Sequence, residues 1–502
     1  MGMSTTSPTR FALTHSAIGF AQLLPLSDGT STGRTSHWMD GGFATSSSQR
    51  WDGSRSRIWK EPPPVLHRGT MYSGPSGRPS TGYAESSPSG LLNVQLSAGT
   101  LPRLPFVSQA TMLTGTRPEE HGVVANGFFW RDSGKVEMWT AWNDKIQRPQ
   151  IWDRLHELPD RPTSAAWFPM LSKGCGADLI CMPAPIHKPD GSEDLWCYTR
   201  PQEFYGELLS EFGHFPLKHF WGPLANVSST RWIVDSLIAA ARKFRPRFLY
   251  VYLPHLDYAA QKSGPESVAA TQAVLDLDDC LDALRQNLEE IYGDDLEWLV
   301  ASEYVISAVD HVSYPNRLLR DAGLLKWHEQ DGTELLDPAG SPAWAMVDHQ
   351  FSHVFVRDRD PQVIAKVAAL FRGQEGIDEV LVGEERSRYG MAHERSGDVI
   401  LISAPNSWQA YYWWNDDARA PAFARTVDIH RKPGYDPVEL HFDMATRSIP
   451  LDASLIKGSH GAPARQLDQQ GVLLTSLSQQ FPGETIDDIS IAPTIVDWFA
   501  KG

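Results

Sequence analysis

No apolar stretch of this chain approaches the roughly 20 residues that a membrane-crossing helix needs. The most apolar N-terminal segment, residues 11–26, is broken by Thr14, His15, Ser16 and Gln22, which makes it a poor secretory signal. Cysteine is scarce: Cys175, Cys181, Cys197 and Cys280 are the four in 502 residues. They lack CxxC spacing, which argues against a structural zinc site, and they are too few for a disulfide scaffold, so reduced thiols are expected. Basic charge is also short, with 45 Lys and Arg against 61 Asp and Glu and a net charge of -16. A phosphate backbone would be repelled at most approaches, so no nucleic-acid polymer is expected as a partner. A cytoplasmic protein without a transmembrane segment is the default reading.

Residues 1–104 lack periodicity of either kind. Stretches such as SHWMDGGFATSSSQRWDGSRSR and YSGPSGRPSTGYAESSPSG are crowded with Ser, Thr, Gly, Pro and Arg. Low-complexity, disordered chain is the physical expectation there. From residue 105 to 502 the pattern becomes that of one folded domain. VSQATMLTG reads as a short helix closed by Gly115, and TRWIVDSLIAAARKF as an amphipathic helix. FLYVYLP, LEWLVASEY and DVILISAP read as buried strands. A long stripe through Val274, Leu277, Leu281, Leu284, Leu288 and Ile291 predicts a helix starting near Ser263 and Pro265. Strands alternating with helices give the fold class α/β, with a parallel or mixed sheet covered on both faces.

Asp257 follows one strand, in a loop containing Gly264 and Pro265, and Glu303 closes another. Open α/β sheets bind ligands beyond the carboxyl ends of their strands. Two buried like charges on one edge would cost several kcal/mol without a cation or a shared proton. His460, in KGSHG, is a third candidate, since flanking glycines let the backbone fold tightly around an imidazole. Three other groups have open readings. Trp408, Tyr411, Tyr412, Trp413 and Trp414 form either a platform for a planar ligand or a packed core. His430, Arg431, Lys432 and Asp436 form either a phosphate-binding turn or a structural loop. Asp348, His349 and His353 are either ligands or strand residues.

SQATMLTGTRPEEHGVVANGFF, PHLDYAAQKSGP, VASEYVISAV, KGSHG and IAPTIVDWF occur in an order and spacing that resemble the nucleotide pyrophosphatase/phosphodiesterase branch of the alkaline phosphatase superfamily, from Val107 to the C-terminus. HRKPGYDPVELHFD and MAHERSGDV resemble a subgroup of microbial and algal proteins within it. The resemblance implies an alkaline-phosphatase-like three-layer sandwich, its central sheet mostly parallel with helices on both faces. It also implies a hydrolase of phosphodiester or pyrophosphate bonds in a small phosphorylated substrate, with a Thr or Ser nucleophile and two divalent ions. Asp257 and His460 match ligands of the first ion, and Asn126 matches the amide on a phosphate oxygen.

The departures are as informative. Gln261 stands where the family has a histidine ligand, and Ser-Asp-His-Gly has become Ser302, Glu303, Tyr304 and Val305. Asp257, Gln261, Glu303, Tyr304 and His460 are thus the expected metal positions, with an oxygen-rich set that suits Mg, Ca or Mn better than Zn. The nucleophile position falls on Pro105, leaving Ser108 as the nearest hydroxyl, three residues and roughly 4.5 Å further along a helix. The first family strand has no counterpart before Pro105, which motivates the hypothesis that residues 1–104 derive from a misread exon or shifted frame. The changed ligands keep a second expectation open: a noncatalytic relative that binds a phosphorylated or aromatic metabolite or a partner enzyme.

Overall fold

FLYVYL is buried at all six positions, and since successive side chains of a strand point to opposite faces, both faces of the sheet it joins are covered. The computed structural model describes residues 16–25, 94–97, 101–188, 193–293, 296–477, 480–481 and 485–501. Most of the stretch expected to be low-complexity lies outside these. The elements that position the site are β1 (Ser16–Pro25), β2 (Val94–Ser97), α1 (Pro105–Thr114), β3 (Ser164–Trp167), β4 (Leu179–Pro183), β5 (Cys197–Arg200) and α2 (Val227–Phe244). They continue with β6 (Phe248–Leu253), α3 (Leu256–Ser263), α4 (Val268–Tyr292), β7 (Leu296–Val305), β8 (Ala343–Asp348), β9 (Phe351–Val356), β10 (Ile377–Val382) and β11 (Val399–Ser403). The last are β12 (Gly471–Thr475), β13 (Thr485–Ile486) and α5 (Ile491–Lys501).

The main sheet has nine strands in the order β13-β2-β12-β7-β1-β6-β3-β4-β5. β6, β3 and β4 are mutually parallel. β1 is antiparallel to both β6 and β7, so β6 and β7 point the same way and end on one edge. Glu303, near the end of β7, and Asp257, just past β6, therefore share that edge, as the sequence predicted. The sheet is mixed because β1, β12 and β5 run against their neighbours, β1 bringing Ser16, Ala17 and Ile18 beside Val305, Tyr304 and Leu253. Two segments of the aperiodic region, β1 and β2, are thus strands of the sheet. Among the described residues no helix is long and apolar enough to cross a membrane.

A second sheet, β8-β9-β11-β10, is antiparallel throughout and has its own core. That core includes Trp344, Phe355, Trp408, Tyr411, Tyr412, Trp413 and Trp414. The aromatic run is therefore packed interior, with Tyr412 stacked on Trp414, and it offers no ligand platform.

Two local expectations are corrected. Asp257 lies in the first turn of a helix, α3, with its N–H bonded to the Pro254 carbonyl. The long helix α4 starts later than predicted: Ser267 caps it, its hydroxyl accepting from the Ala270 N–H at 3.1 Å, while Ser263 ends α3. The SxP pattern marked the break between two helices, and the capping serine was the next one along.

Candidate active site

Six side chains converge between the carboxyl edge of the main sheet and the tip of the second sheet, Asp257, Gln261, Tyr304, His349, Tyr435 and His460, with Glu303 next to Tyr304 on β7 and electrostatically coupled to Asp257. All are buried. The Tyr304 hydroxyl donates to Asp257 Oδ2 at 2.9 Å. The Tyr304 ring lies flat on His460, with centroids 3.7 Å apart and planes at 5°. His349 covers the other side of His460 at 3.8 Å, and Tyr435 stacks on His349 at 3.5 Å. The Tyr435 hydroxyl then donates to Gln261 Oε1. The result is a column of four rings joined at both ends to α3.

Each ring is held from a different element. His460 Nδ1 lies 2.7 Å from the Arg103 carbonyl; a carbonyl only accepts, so the proton is on Nδ1, and Nε2 is a bare lone pair without a hydrogen-bond partner. Gly458 lets this strand approach α3, since a Cβ there would sit 2.3 Å from the Ala260 carbonyl oxygen. His349 occupies the two-residue turn between β8 and β9, where Asp348 pairs with Phe351, with φ of 61°. A left-handed turn position favours Gly or Asn, so a histidine there carries backbone strain that its ring contacts must offset. Its Nδ1 lies 2.7 Å from Asp348 Oδ1. Asp348 in turn accepts from the Asn126 backbone and side-chain amides at 2.8 and 2.9 Å.

Tyr435 is delivered by the loop that the sequence left open between phosphate binding and structure. Lys432 is buried, its Nζ 2.8 Å from Asp436 and 2.6 Å from Glu439. Glu439 also accepts from Trp221 Nε1 and the Asp428 N–H. Burial alone would lower the lysine pKa, but Asp436 and Glu439 outweigh it and raise it. The lysine is thus a structural cation. Nor do Asp348, His349 and His353 form a ligand group: both nitrogens of His353 are bonded to backbone, to the Val124 carbonyl and the Gly397 N–H.

The electrostatics are set by burial. It raises Asp257 to about 7, against the lowering effect of Tyr304 and the adjacent Gln261 amide. It drives Glu303 well above the usual carboxylate range, opposed by Gln109 and reinforced by Asp257 and Asp488. Asp257 Oδ1, both Glu303 carboxyl oxygens and Gln261 Nε2 complete no hydrogen bond of ordinary geometry, although the Gln261 amide lies beside Asp257 and the Gln109 amide beside Glu303. Burial, with His349 adding to it, lowers His460 well below the ordinary imidazole value.

Ser108 and Asn126 border this cluster without adding a side chain to the ring column. Pro105 is the first residue of α1, a position at which its missing N–H is harmless. The Ser108 hydroxyl donates to the Glu303 carbonyl at 3.2 Å. Asn126 accepts from the Phe106 N–H at 3.1 Å while donating to Asp348, so it ties the start of α1 to the second sheet. His349 was singled out by sequence only within the open Asp348, His349 and His353 group, and Tyr435 was not singled out at all. The signal was there for His349, in its DHQ turn between two apolar strands. Tyr435 had none beyond the motif that carries it.

The residues do not fit a two-metal centre as arranged. Among the described residues no three His, Cys, Asp or Glu side chains are grouped to hold an ion, the Gln261 oxygen is taken by Tyr435, and Tyr304 has its hydroxyl on Asp257. A cleft of about 360 Å³ on the second lobe, lined by Tyr314, Arg317, Asp417, Arg425 and Asp452, shares no residue with the cluster.

A mixed-sheet α/β protein with carboxylates, tyrosines and histidines gathered at the strand ends carries its candidate site where open α/β sheets bind ligands. Residues 98–436 match the family model described as Type I phosphodiesterase / nucleotide pyrophosphatase, and the chain belongs to that family. Among solved structures it is similar to phosphonoacetate hydrolase from Sinorhizobium meliloti 1021 in complex with phosphonoformate: TM-score 0.51, 15% identity, 81% of this chain and 87% of that one covered. It is also similar to human ectonucleotide pyrophosphatase / phosphodiesterase 5, with TM-score 0.50, 13% identity and coverage of 80% and 85%. At these identities the likeness shows the alkaline-phosphatase-like fold. No curated protein matches the chain significantly.

Proposed function

We propose that this chain hydrolyses a phosphodiester or pyrophosphate bond, or a close analogue such as a phosphonate, in a small substrate. The observation that carries the reading is the pair of buried carboxyl groups, Asp257 and Glu303, that keep unpartnered oxygens at the shared strand edge. Leaving such atoms buried without partners costs roughly 1–3 kcal/mol each, and ionisable groups held in that way at strand ends are candidates for chemistry on a ligand. Asp257, near neutrality at about 7, is suited to take a proton from water or return one to a leaving oxygen. Tyr304 fixes its rotamer by holding Oδ2, which leaves Oδ1 as the proton-transfer atom. Bound phosphonoformate in the phosphonoacetate hydrolase structure supports a small phosphorus oxyanion as the ligand class. Divalent-ion dependence, which the family resemblance implies, forms no step of this proposal because the donors do not fit it.

A noncatalytic binding protein is the second reading, favoured by Pro105 at the start of α1, where the family carries its attacking hydroxyl. Hydrolysis of a chromogenic phosphodiester by the wild type and by Asp257→Asn separates the two. Turnover lost in the variant supports the hydrolase, and a folded, inactive wild type that still binds a phosphonate supports the binder.

A further inference from the structure

We infer that Gln261 and Tyr304, locked by Tyr435 and Asp257, close this centre to divalent ions, so that the protein is folded and held together there by a hydrogen-bonded ring column in place of metal. The donor atoms decide this. A hard cation would take the carbonyl oxygen of Gln261, yet that oxygen accepts the Tyr435 hydroxyl, and the N–H end of the amide faces the cluster beside Asp257. The end of the amide beside Asp257 is therefore its N–H end, which repels a cation.

Tyr304 closes the second approach. Its hydroxyl donates to Asp257 Oδ2 at 2.9 Å, and a phenol that is donating a hydrogen bond must lose that proton before it ligates. Its ring lies 3.7 Å from His460, a van der Waals separation, and His349 occupies the opposite face at 3.8 Å. Only the edge of His460, at Nε2, stays open, and no second His, Cys, Asp or Glu among the described residues completes a group of three with it and one other. The column also joins the two lobes: Tyr304 belongs to the main sheet, and His349 to the hairpin of the second. Closure to metal and cohesion between lobes are then one device, and the strained φ of His349 is part of what it takes to build it.

The test uses the full chain. Metal content of the purified wild type is measured by mass spectrometry, with melting temperature recorded alone, in EDTA, and with added Zn, Mn or Mg. The inference expects well under one ion per chain and an unchanged melting temperature in all conditions. Gln261→His/Tyr304→His, which supplies imidazoles at both positions and frees Asp257 Oδ2, is expected to take up an ion and to show the visible absorption of a bound Co(II). Gln261→His alone serves if the double variant does not fold. A wild type that carries one or more ions per chain and loses melting temperature in EDTA would overturn the inference, as would a folded histidine variant that binds no Co(II). Metal content and melting are read without substrate, so failure of the hydrolase proposal leaves this result intact.

Discussion

Replacing Lys432 by Met leaves two buried carboxylates, Asp436 and Glu439, facing each other without a cation. The lysine is 1% exposed, sits 2.8 and 2.6 Å from its two partners, and keeps its charge because they outweigh the effect of burial. Breaking a buried pair from one side costs about 3–5 kcal/mol, since the remaining charge is neither hydrated nor paired. Here the remainder is a like-charge pair, with Glu439 already raised by burial, so the upper half of that range is expected. The loss is read from urea midpoints followed by tryptophan fluorescence, to which Trp221, bonded to Glu439 at 2.6 Å, contributes directly. Lys432→Met/Glu439→Gln, which removes one of the stranded charges, should recover part of the loss. A midpoint for Lys432→Met within error of the wild type would refute the view that this triad anchors the loop carrying Tyr435.

Other outcomes follow from the same contacts. Tyr304→Phe keeps the ring on His460 but leaves Asp257 Oδ2 without its donor, a destabilisation of about 1–3 kcal/mol measurable by the same midpoints; an unchanged midpoint would show that the bond is not made. Gly458→Ala forces a Cβ to within 2.3 Å of the Ala260 carbonyl oxygen and should lower stability by about 1–3 kcal/mol while shifting the imidazole signals of His460 in NMR spectra. His121 is held neutral, with Val123 N–H donating to Nδ1 and Thr111 near Nε2, and burial depresses its pKa from 6.5 to about 3. Its stabilising effect is complete above pH 6.5 and declines as pH falls toward 3, because the unfolded chain takes up the proton first. Between those limits the stability of His121→Gln should vary with pH less steeply than that of the wild type, by about 1.4 kcal/mol per unit, and parallel curves would contradict the assignment.

The strand ends were legible because two signals coincided there. FLYVYL and the WLVA core of LEWLVASEY had no charged residue to face solvent, and each was followed by a carboxylate, so placing Asp257 and Glu303 on one edge needed only the rule for parallel strands. Gly115 as a helix stop was equally readable and is left-handed, with φ of 66°. What the sequence could not show was long-range pairing. The reversed β1 in the middle of the sheet has no local signature, because direction is set by the neighbours a strand joins. Tyr435 reaches His349 across 86 positions of chain, through a salt-bridged triad whose lysine the sequence left open between phosphate binding and a structural loop. The ambiguity of the aromatic run had a similar origin: Trp413 and Trp414 are buried at 1% and 0%, a fact decided by the second sheet that covers them.

The measurement that bears most directly on the central claim is steady-state hydrolysis of a chromogenic phosphodiester by the wild-type chain and by Asp257→Asn, at pH 7 and in the presence of EDTA. The account predicts turnover above the buffer rate for the wild type and a loss of roughly 100-fold or more in the variant, the usual weight of a proton-transfer group. Equal rates for the two folded proteins, or a wild type no faster than buffer, would contradict it.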